Sequence, residues 1–253
     1  MNNNRWIFLR GLTRGNIHWS VFPEIFKKIN PDAQMEFLEI PGNGLCSEEK
    51  SPVSAGALLD SLRIKSNFVK NKESFHLCGI SLGGMAAMKW AESYPGEVLS
   101  VAVINSSLAQ FSTFNKRLLP ENYETLLRTL FMHGHYQQEE SVLKITSNRF
   151  EETKKNLEAF AVFSENHKVT KINFLRQLIL AKSININSVV KKPFKVISSQ
   201  NDRLVDHGCS KQIVLKLGGK EFIHPTAGHD LPLDEPEWLS EILVKNLECT
   251  ASS

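Results

Sequence analysis

The chain has 253 residues, 42% of them apolar and 23% charged, with a formal charge of +3 spread along its length. These values fit one large α/β domain with a generous core. They exclude two classes of function. No basic block is dense enough for a nucleic-acid footprint: Lys27-Lys28, Lys154-Lys155 and Lys191-Lys192 are isolated pairs that read as solvated faces. No segment approaches the roughly 20 apolar residues that span a bilayer.

In chain order, Trp6-Ile7-Phe8-Leu9 is the first strand, ended by Arg10-Gly11. A helix is expected from Trp19 to Ile29, stopped by Asn30-Pro31. Met35 to Ile40 is a second strand, closed by the turn cluster Pro41-Gly42-Asn43-Gly44. The apolar spacing of Leu58, Leu59, Leu62, Phe68 and Val69 predicts one helix over Ser54 to Asn71. Phe75 to Gly79 is a buried strand that turns at Ile80-Ser81-Leu82 into a helix from Gly83 to about Tyr94. Val98 to Ile104 is another apolar strand. Near-continuous apolar strands alternating with helices predict a mostly parallel sheet covered by helices on both faces.

The alternation breaks at about Phe111, and a helical pattern runs to Ser188, with segments at 120–132, 136–149, 151–166 and 169–183. Strands resume at Phe194 to Ser199 and at Glu221 to Pro225, with helices at Cys209 to Leu217 and Glu235 to Leu247. The expected organisation is therefore a core of residues 1–110 and 189–253 with a helical lid, 111–188, inserted over the carboxyl edge of the sheet, where open α/β sheets bind ligands.

The run Trp6 to Leu9 is too short for a signal peptide and no small-residue cleavage site follows it, so a cytoplasmic location is expected. Cys46, Cys78, Cys209 and Cys249 have no metal-like spacing and are expected as free thiols, Cys78 as a small core residue.

The chemistry is concentrated in three short segments. Gly79-Ile80-Ser81-Leu82-Gly83 sits where an apolar strand meets a helix, the setting of a nucleophile elbow. A sharp strand-to-helix turn strains the serine backbone and demands neighbours without side chains two positions away. The serine hydroxyl then stands at a helix N-terminus, where developing negative charge is favoured. Serine needs a base, and His229, in Thr226-Ala227-Gly228-His229-Asp230 after the last strand, is the one histidine of eight on a loop that such a fold brings over Ser81. His18, His76, His133, His135, His167, His207 and His224 read as surface or satisfied polar residues. Asp202, directly after the resumed strand, is placed to accept a bond from the far ring nitrogen of His229. Asp206 and Asp230 are rivals: the first is suited to a helix cap, and the second directly follows the histidine, so that its side chain points elsewhere. An oxyanion hole would take one N–H from Leu82 and one from Leu12, aimed by the turn at Gly11.

These segments, with Phe8-Leu9-Arg10-Gly11-Leu12, Leu38 to Gly44, Asn201-Asp202-Arg203-Leu204-Val205 and Gly228-His229-Asp230-Leu231-Pro232, resemble the α/β-hydrolase superfamily over essentially the whole chain. The sequence is similar to small lid-bearing carboxylesterases of the pimeloyl-carrier-protein methyl esterase type. The resemblance implies a nucleophile at Ser81, an acid at Asp202, a base at His229 and oxyanion donors at Leu12 and Leu82. It departs from relatives at Arg10, where they usually carry histidine, and at Asn43, in a loop that often reads Pro-Gly-His-Gly. Since the oxyanion donor is a backbone group, the hole should survive the first change.

The expected reaction is cleavage of a carboxylic ester or thioester through an acyl-enzyme, without metal or organic cofactor. The expected partner is a small-molecule acyl substrate, free or presented by an acyl carrier protein, and the chain is expected as a monomer or homodimer. A lyase, acyltransferase or C–C hydrolase using the same residues is the alternative. A non-enzymatic binding protein on the same fold ranks third, because every expected position is filled. Phe111, Phe114, Phe131, Phe150, Phe160, Phe163 and Phe174 are expected mainly to hold the lid together rather than to line an acyl pocket. Arg10 and Arg14 are expected as surface arginines, with binding of a carboxylate or phosphate as the alternative.

Overall fold

The computed structural model describes residues 4–245. Six strands form one parallel sheet: β1 (Arg5–Leu9), β2 (Gln34–Leu38), β3 (Phe75–Ile80), β4 (Val98–Ile104), β5 (Phe194–Ser199) and β6 (Lys220–His224). Their order across the sheet is β2-β1-β3-β4-β5-β6. The chain moves outward in one direction from β1 to β2, then returns to place β3 on the other side of β1. Between β1 and β3 the loops leave in opposite directions, opening a crevice at the carboxyl ends. The loops after those two strands carry Arg10-Gly11-Leu12 and Ser81.

Every residue of β3 and of β5 is buried, which explains their lack of apolar–polar alternation. Successive side chains point to opposite faces. Ile7, Leu9, Leu77, Val101, Val103 and Val196 face the helices Ala55–Lys65, Leu82–Ser93 and Gly208–Leu217. Trp6, Phe8, Cys78, Ile80, Ala102 and Ile197 face the helices Phe22–Ile29 and Pro236–Val244. The mostly parallel sheet with helices on both faces is thus as the sequence predicts.

Three helices differ in detail. The stretch expected to be helical from Trp19 is a 3-10 turn, Asn16–Trp19, followed by Ser20 at φ +50°, and the α-helix starts only at Phe22, with Pro23 in its first turn. The predicted helix 54–71 breaks at Ser66, whose extended backbone and side chain cap a separate turn, Asn67–Lys70. Ser66 Oγ also donates to Glu36 Oε2 at 2.7 Å, so β2 fixes the break. The last helix, expected from Glu235, runs over Pro236–Val244, and a separate short helix, Leu231–Asp234, precedes it; residues 246 and 247 of the predicted helix lie outside the described residues.

Between β4 and β5 the chain is helical: Phe114–Arg117, Tyr123–Phe131, His135–Thr146, Phe150–Thr153, Leu157–Asn166 and Lys171–Ser183, with short 3-10 turns between some of them. Phe160 is buried with Leu143, Leu157 and Leu233, and Phe150 packs on that cluster. Phe111 packs on the main core. Phe114 and Phe131 are exposed, the first against the ring of Tyr123 and the second under the ammonium of Lys171. The helix Tyr123–Phe131 has no buried residue at all.

Candidate active site

Ser81 has φ +55° and ψ −117°, a conformation that L-residues adopt only under constraint. The constraint comes from both sides. Ser81 N–H donates to Ile104 O at 2.9 Å, and Ser81 O accepts from Ser106 Oγ at 2.8 Å and from Met85 N–H at 3.2 Å. The flanking glycines are required by contact: a Cβ on Gly79 would lie 2.2 Å from Gly83 O, and one on Gly83 would lie 2.2 Å from Leu9 O. The turn can therefore be this sharp only with the sequence it has.

Gly11 brings the loop after β1 directly onto this turn. A Cβ there would sit 3.2 Å from Ser81 Cβ and 3.7 Å from its Oγ. The next residues form a tight turn, with Arg14 N–H bonded to Gly11 O at 3.3 Å and Thr13 at φ +60°. Leu82 is the first residue of its helix, where the backbone N–H has no intrahelical acceptor. Leu12 thus follows the residue that touches the Ser81 turn, and Leu82 follows Ser81 itself.

Asp202 and His229 meet from the loops after β5 and β6. His229 Nδ1 and Asp202 Oδ2 are 2.7 Å apart, and both side chains are buried. Asp202 Oδ1 accepts the N–H groups of Leu204 at 2.8 Å and Val205 at 3.0 Å, so both carboxylate oxygens are engaged. Asp206, the first rival, lies one residue before the N-cap His207, and its Oδ1 accepts the N–H of Gly208, the first residue of the helix, at 2.7 Å. Among the described residues Ser81 Oγ makes no hydrogen bond, and so none to His229. The two are joined through the end of β4: Asn105, at φ +45°, donates to His229 O at 2.8 Å and to Gly228 O at 3.3 Å.

The arginines overturn the expectation of surface residues. Arg10 is buried and forms two bonds to Asp230, Nη1 to Oδ1 at 2.9 Å and Nη2 to Oδ2 at 2.6 Å. The Asp230 side chain does point away from the Asp202–His229 contact, as its position predicts. Burial would raise the Asp230 carboxyl, but Arg10 outweighs it and holds it below the usual range. Arg14 reaches Glu139 Oε2 at 2.5 Å, on the inserted helix His135–Thr146. Both guanidinium groups are turned inward because a buried carboxylate awaits each one, which local sequence does not reveal.

Asn43 and Gln177 were not legible as site residues. Asn43 is fully buried; its Nδ2 donates to Gly11 O and Arg14 O at 3.4 and 3.3 Å, and its Oδ1 accepts from Gln177 at 2.6 Å. Asn105 carried a usable signal, a polar residue directly after an apolar strand. Of the cysteines, Cys46, Cys78 and Cys209 are free, burial pushes the Cys78 thiol far up, and Cys249 lies outside the described residues. Among the described residues no group of three His, Cys, Asp or Glu side chains is arranged to hold a metal ion, and no helix is long and apolar enough to cross a membrane.

The chain is similar in fold to a thermophilic esterase from Thermogutta terrifontis (TM-score 0.72, 14% identity, 94% of this chain and 87% of that one). It is also similar to MGS-M2, an α/β-hydrolase from a Medee basin deep-sea metagenome library (0.72, 20%, 100% and 92%). A third is the meta-cleavage product hydrolase of Pseudomonas fluorescens IP01 (0.77, 13%, 95% and 89%). A curated relative, the monoacylglycerol lipase ABHD6 of Bos taurus, is 22% identical over 193 residues, 72% of this chain; the match spans 57% of that relative's length. The family model described as serine aminopeptidase, S33 matches residues 59–236, a stretch that includes Ser81, Asp202 and His229. With well over half its length matched, the chain belongs to this family of α/β-hydrolase enzymes.

Proposed function

We propose that the protein is a serine hydrolase that cleaves a carboxylic ester or thioester through an acyl-enzyme. The observation that carries this reading is the 2.7 Å contact of buried His229 and Asp202 at the sheet edge where Ser81 stands in its strained turn. Ser81 Oγ attacks the acyl carbonyl while His229, through Nε2, takes its proton; the leaving group receives that proton. Asp202 fixes the imidazole orientation from the other nitrogen. The N–H groups of Leu12 and Leu82 receive the oxyanion, and water then releases the acid. A Ser–His bond that is open in the free enzyme and closes around substrate is consistent with this chemistry.

The inserted helices of residues 111–188 act in this reading as a lid over the site. The cytoplasm is the proposed location, in keeping with free cysteines at Cys46, Cys78 and Cys209. The likeness to a monoacylglycerol lipase places glycerol monoesters among the esters to test.

The experiment is hydrolysis of p-nitrophenyl esters from acetate to long acyl chains, and of a monoacylglycerol, by the wild type and Ser81→Ala. Loss of roughly 10³-fold or more in the variant, with fluorophosphonate labelling confined to Ser81, is the expected outcome. An unchanged rate in Ser81→Ala overturns the reading. Ser81 labelling without ester turnover redirects the same residues to C–C, lyase or transfer chemistry.

A further inference from the structure

The pair Arg10–Asp230 joins two parts of the site that the sheet itself keeps apart. Arg10 directly follows β1 and immediately precedes Gly11 and Leu12; Asp230 immediately follows His229 after β6. Three strands, β3, β4 and β5, lie between β1 and β6. The two loops therefore have no ladder to fix their relative position, and the fork of Arg10 supplies one with two parallel bonds of 2.9 and 2.6 Å.

Each end is itself held. The Arg10 guanidinium lies 5.1 Å from the ring of Trp19. Asp230 N–H donates to Thr146 O at 2.8 Å, and Asp230 O accepts from Leu233 and Asp234 N–H at 2.9 and 3.0 Å. The fork is thus a strut between two fixed points. It carries a cost as well. Arg10 Nε is buried without a partner, and removing two charges from water offsets much of their attraction. A pair of well-packed apolar residues would hold the fold as well, so stability alone does not explain it. The departure from the usual histidine at position 10 and the aspartate at 230 are two halves of one contact.

The pair also sets the charge beside the base. Asp202 meets His229 at its Nδ1, and the charged groups acting on Asp230, the next residue, are Arg10, Arg14 and His229; Glu139 pairs with Arg14 from the inserted helices, and Asp234, at the end of the helix Leu231–Asp234, accepts Gly228 N–H. Asp230 neutralises Arg10. Without it, a cation beside the site would oppose formation of the imidazolium.

We propose that Arg10 and Asp230 are a positioning pair that locks the oxyanion loop to the base loop and neutralises charge beside His229. This rests on the reading of Ser81 and His229 as nucleophile and base. The test measures the rate of Ser81 labelling by a fluorophosphonate from pH 5 to 9, which needs no knowledge of the natural substrate. The variants are Arg10→Gln, Asp230→Asn, the double variant and Arg10→Lys, with thermal unfolding in parallel.

In Asp230→Asn the unpaired arginine disfavours imidazolium, so the acid limb of the profile moves to lower pH. In Arg10→Gln the unpaired aspartate favours it, so the limb moves to higher pH. Each shift is expected to be about half a unit to one unit, and each rate to fall roughly 10- to 100-fold. The double variant returns the limb to its wild-type position, because both charges are gone. Arg10→Lys keeps the charge but not the fork, so the limb stays and the rate falls. If one single variant fails to fold, the other still carries the comparison of limbs, and Arg10→Lys tests the fork through its rate. Coincident limbs and unchanged rates in variants that fold, with the wild type labelling at Ser81, overturn the pair and leave the nucleophile standing. A wild type that does not label at Ser81 overturns both.

Discussion

The side-chain carbonyl of Gln177 accepts the backbone N–H of Thr13 at 2.9 Å, while its amide donates to Asn43 Oδ1 at 2.6 Å and Ser51 Oγ at 3.1 Å. Gln177 is fully buried on the helix Lys171–Ser183. One amide therefore ties an inserted helix to the loop that carries Leu12 and to the loop after β2. Gln177→Leu keeps the volume and removes every partner, leaving Thr13 N–H and the Asn43 carbonyl buried and unsatisfied. The expected cost is about 2–4 kcal/mol, since each orphaned group costs about 1–3. Urea denaturation measures it; a change within error would mean that water replaces the amide. A fall in kcat larger than the change in KM would accompany it, because the loop is free to drift.

In the proposed mechanism Ser81 stands where function and stability conflict. A non-glycine residue in a sparsely populated conformation costs about 1–3 kcal/mol, while glycine adds roughly 0.5–1 kcal/mol of chain entropy to the unfolded state. The strain is the larger of the two. Ser81→Gly should therefore abolish Ser81 labelling and yet raise the midpoint of chemical denaturation above that of Ser81→Ala, which keeps the Cβ. Equal midpoints for the two variants would place the strain elsewhere.

Periodicity made the sheet legible because β3 and β5 are buried on both faces, and their apolar runs say so. The site was legible where chemistry demands local sequence: Gly79 and Gly83 are dictated by contacts within a few residues and with the end of β1. The sequence pairs Asp202 with His229 because each follows a strand, and the two side chains meet at 2.7 Å. What stayed hidden depends on distant partners. Arg10 looks like a surface arginine until Asp230, 220 residues away in sequence, is brought to it. Gln177 and Asn173 face inward on a helix whose Ile172, Leu175 and Ile179 are exposed, the reverse of the usual pattern. No hydrophobic period finds such residues, because hydrogen bonds as well as the buried Leu180 hold that helix.

The inserted helices should loosen in acid. Burial alone would raise the Glu139 carboxyl, but Arg14, His18 and Ser164 outweigh it and hold it well below its ordinary value. Burial, then Arg14, lowers His18 below its ordinary value, against an opposing pull from Glu139. Both shifts have the same consequence. In each case the unfolded chain takes up the proton at higher pH than the folded one, so stability falls as pH drops. The His18 contribution declines below about pH 6.5 and that of Glu139 below about pH 4.3, the unfolded values. The midpoint of thermal unfolding should fall in two stages from about pH 8 to about pH 3, with His18→Asn flattening the first and Glu139→Gln the second. Proteolysis of the helix His135–Thr146 should accelerate over the same range. A wild-type profile that parallels both variants would exclude the cluster as the cause.

Lys195 extends the same sign of dependence to alkaline pH. It lies on β5, and its Nζ donates to the carbonyls of Ile242, Leu243 and Lys245 at 2.7, 2.6 and 2.6 Å, so the ammonium caps the end of the helix Pro236–Val244. All three N–H donors are used. Lys195→Met fills the same space but leaves the carbonyls without that donor, at an expected cost of about 2–3 kcal/mol. Burial pulls the folded Lys195 down to about 8, against about 10.4 in the unfolded chain. Between those values the unfolded chain holds the extra proton, so this residue's contribution to stability increases with pH. The gap in denaturation midpoint between wild type and Lys195→Met should therefore widen from pH 8 to 10. A gap that narrows would mean that the three carbonyls keep the ammonium charged despite its burial.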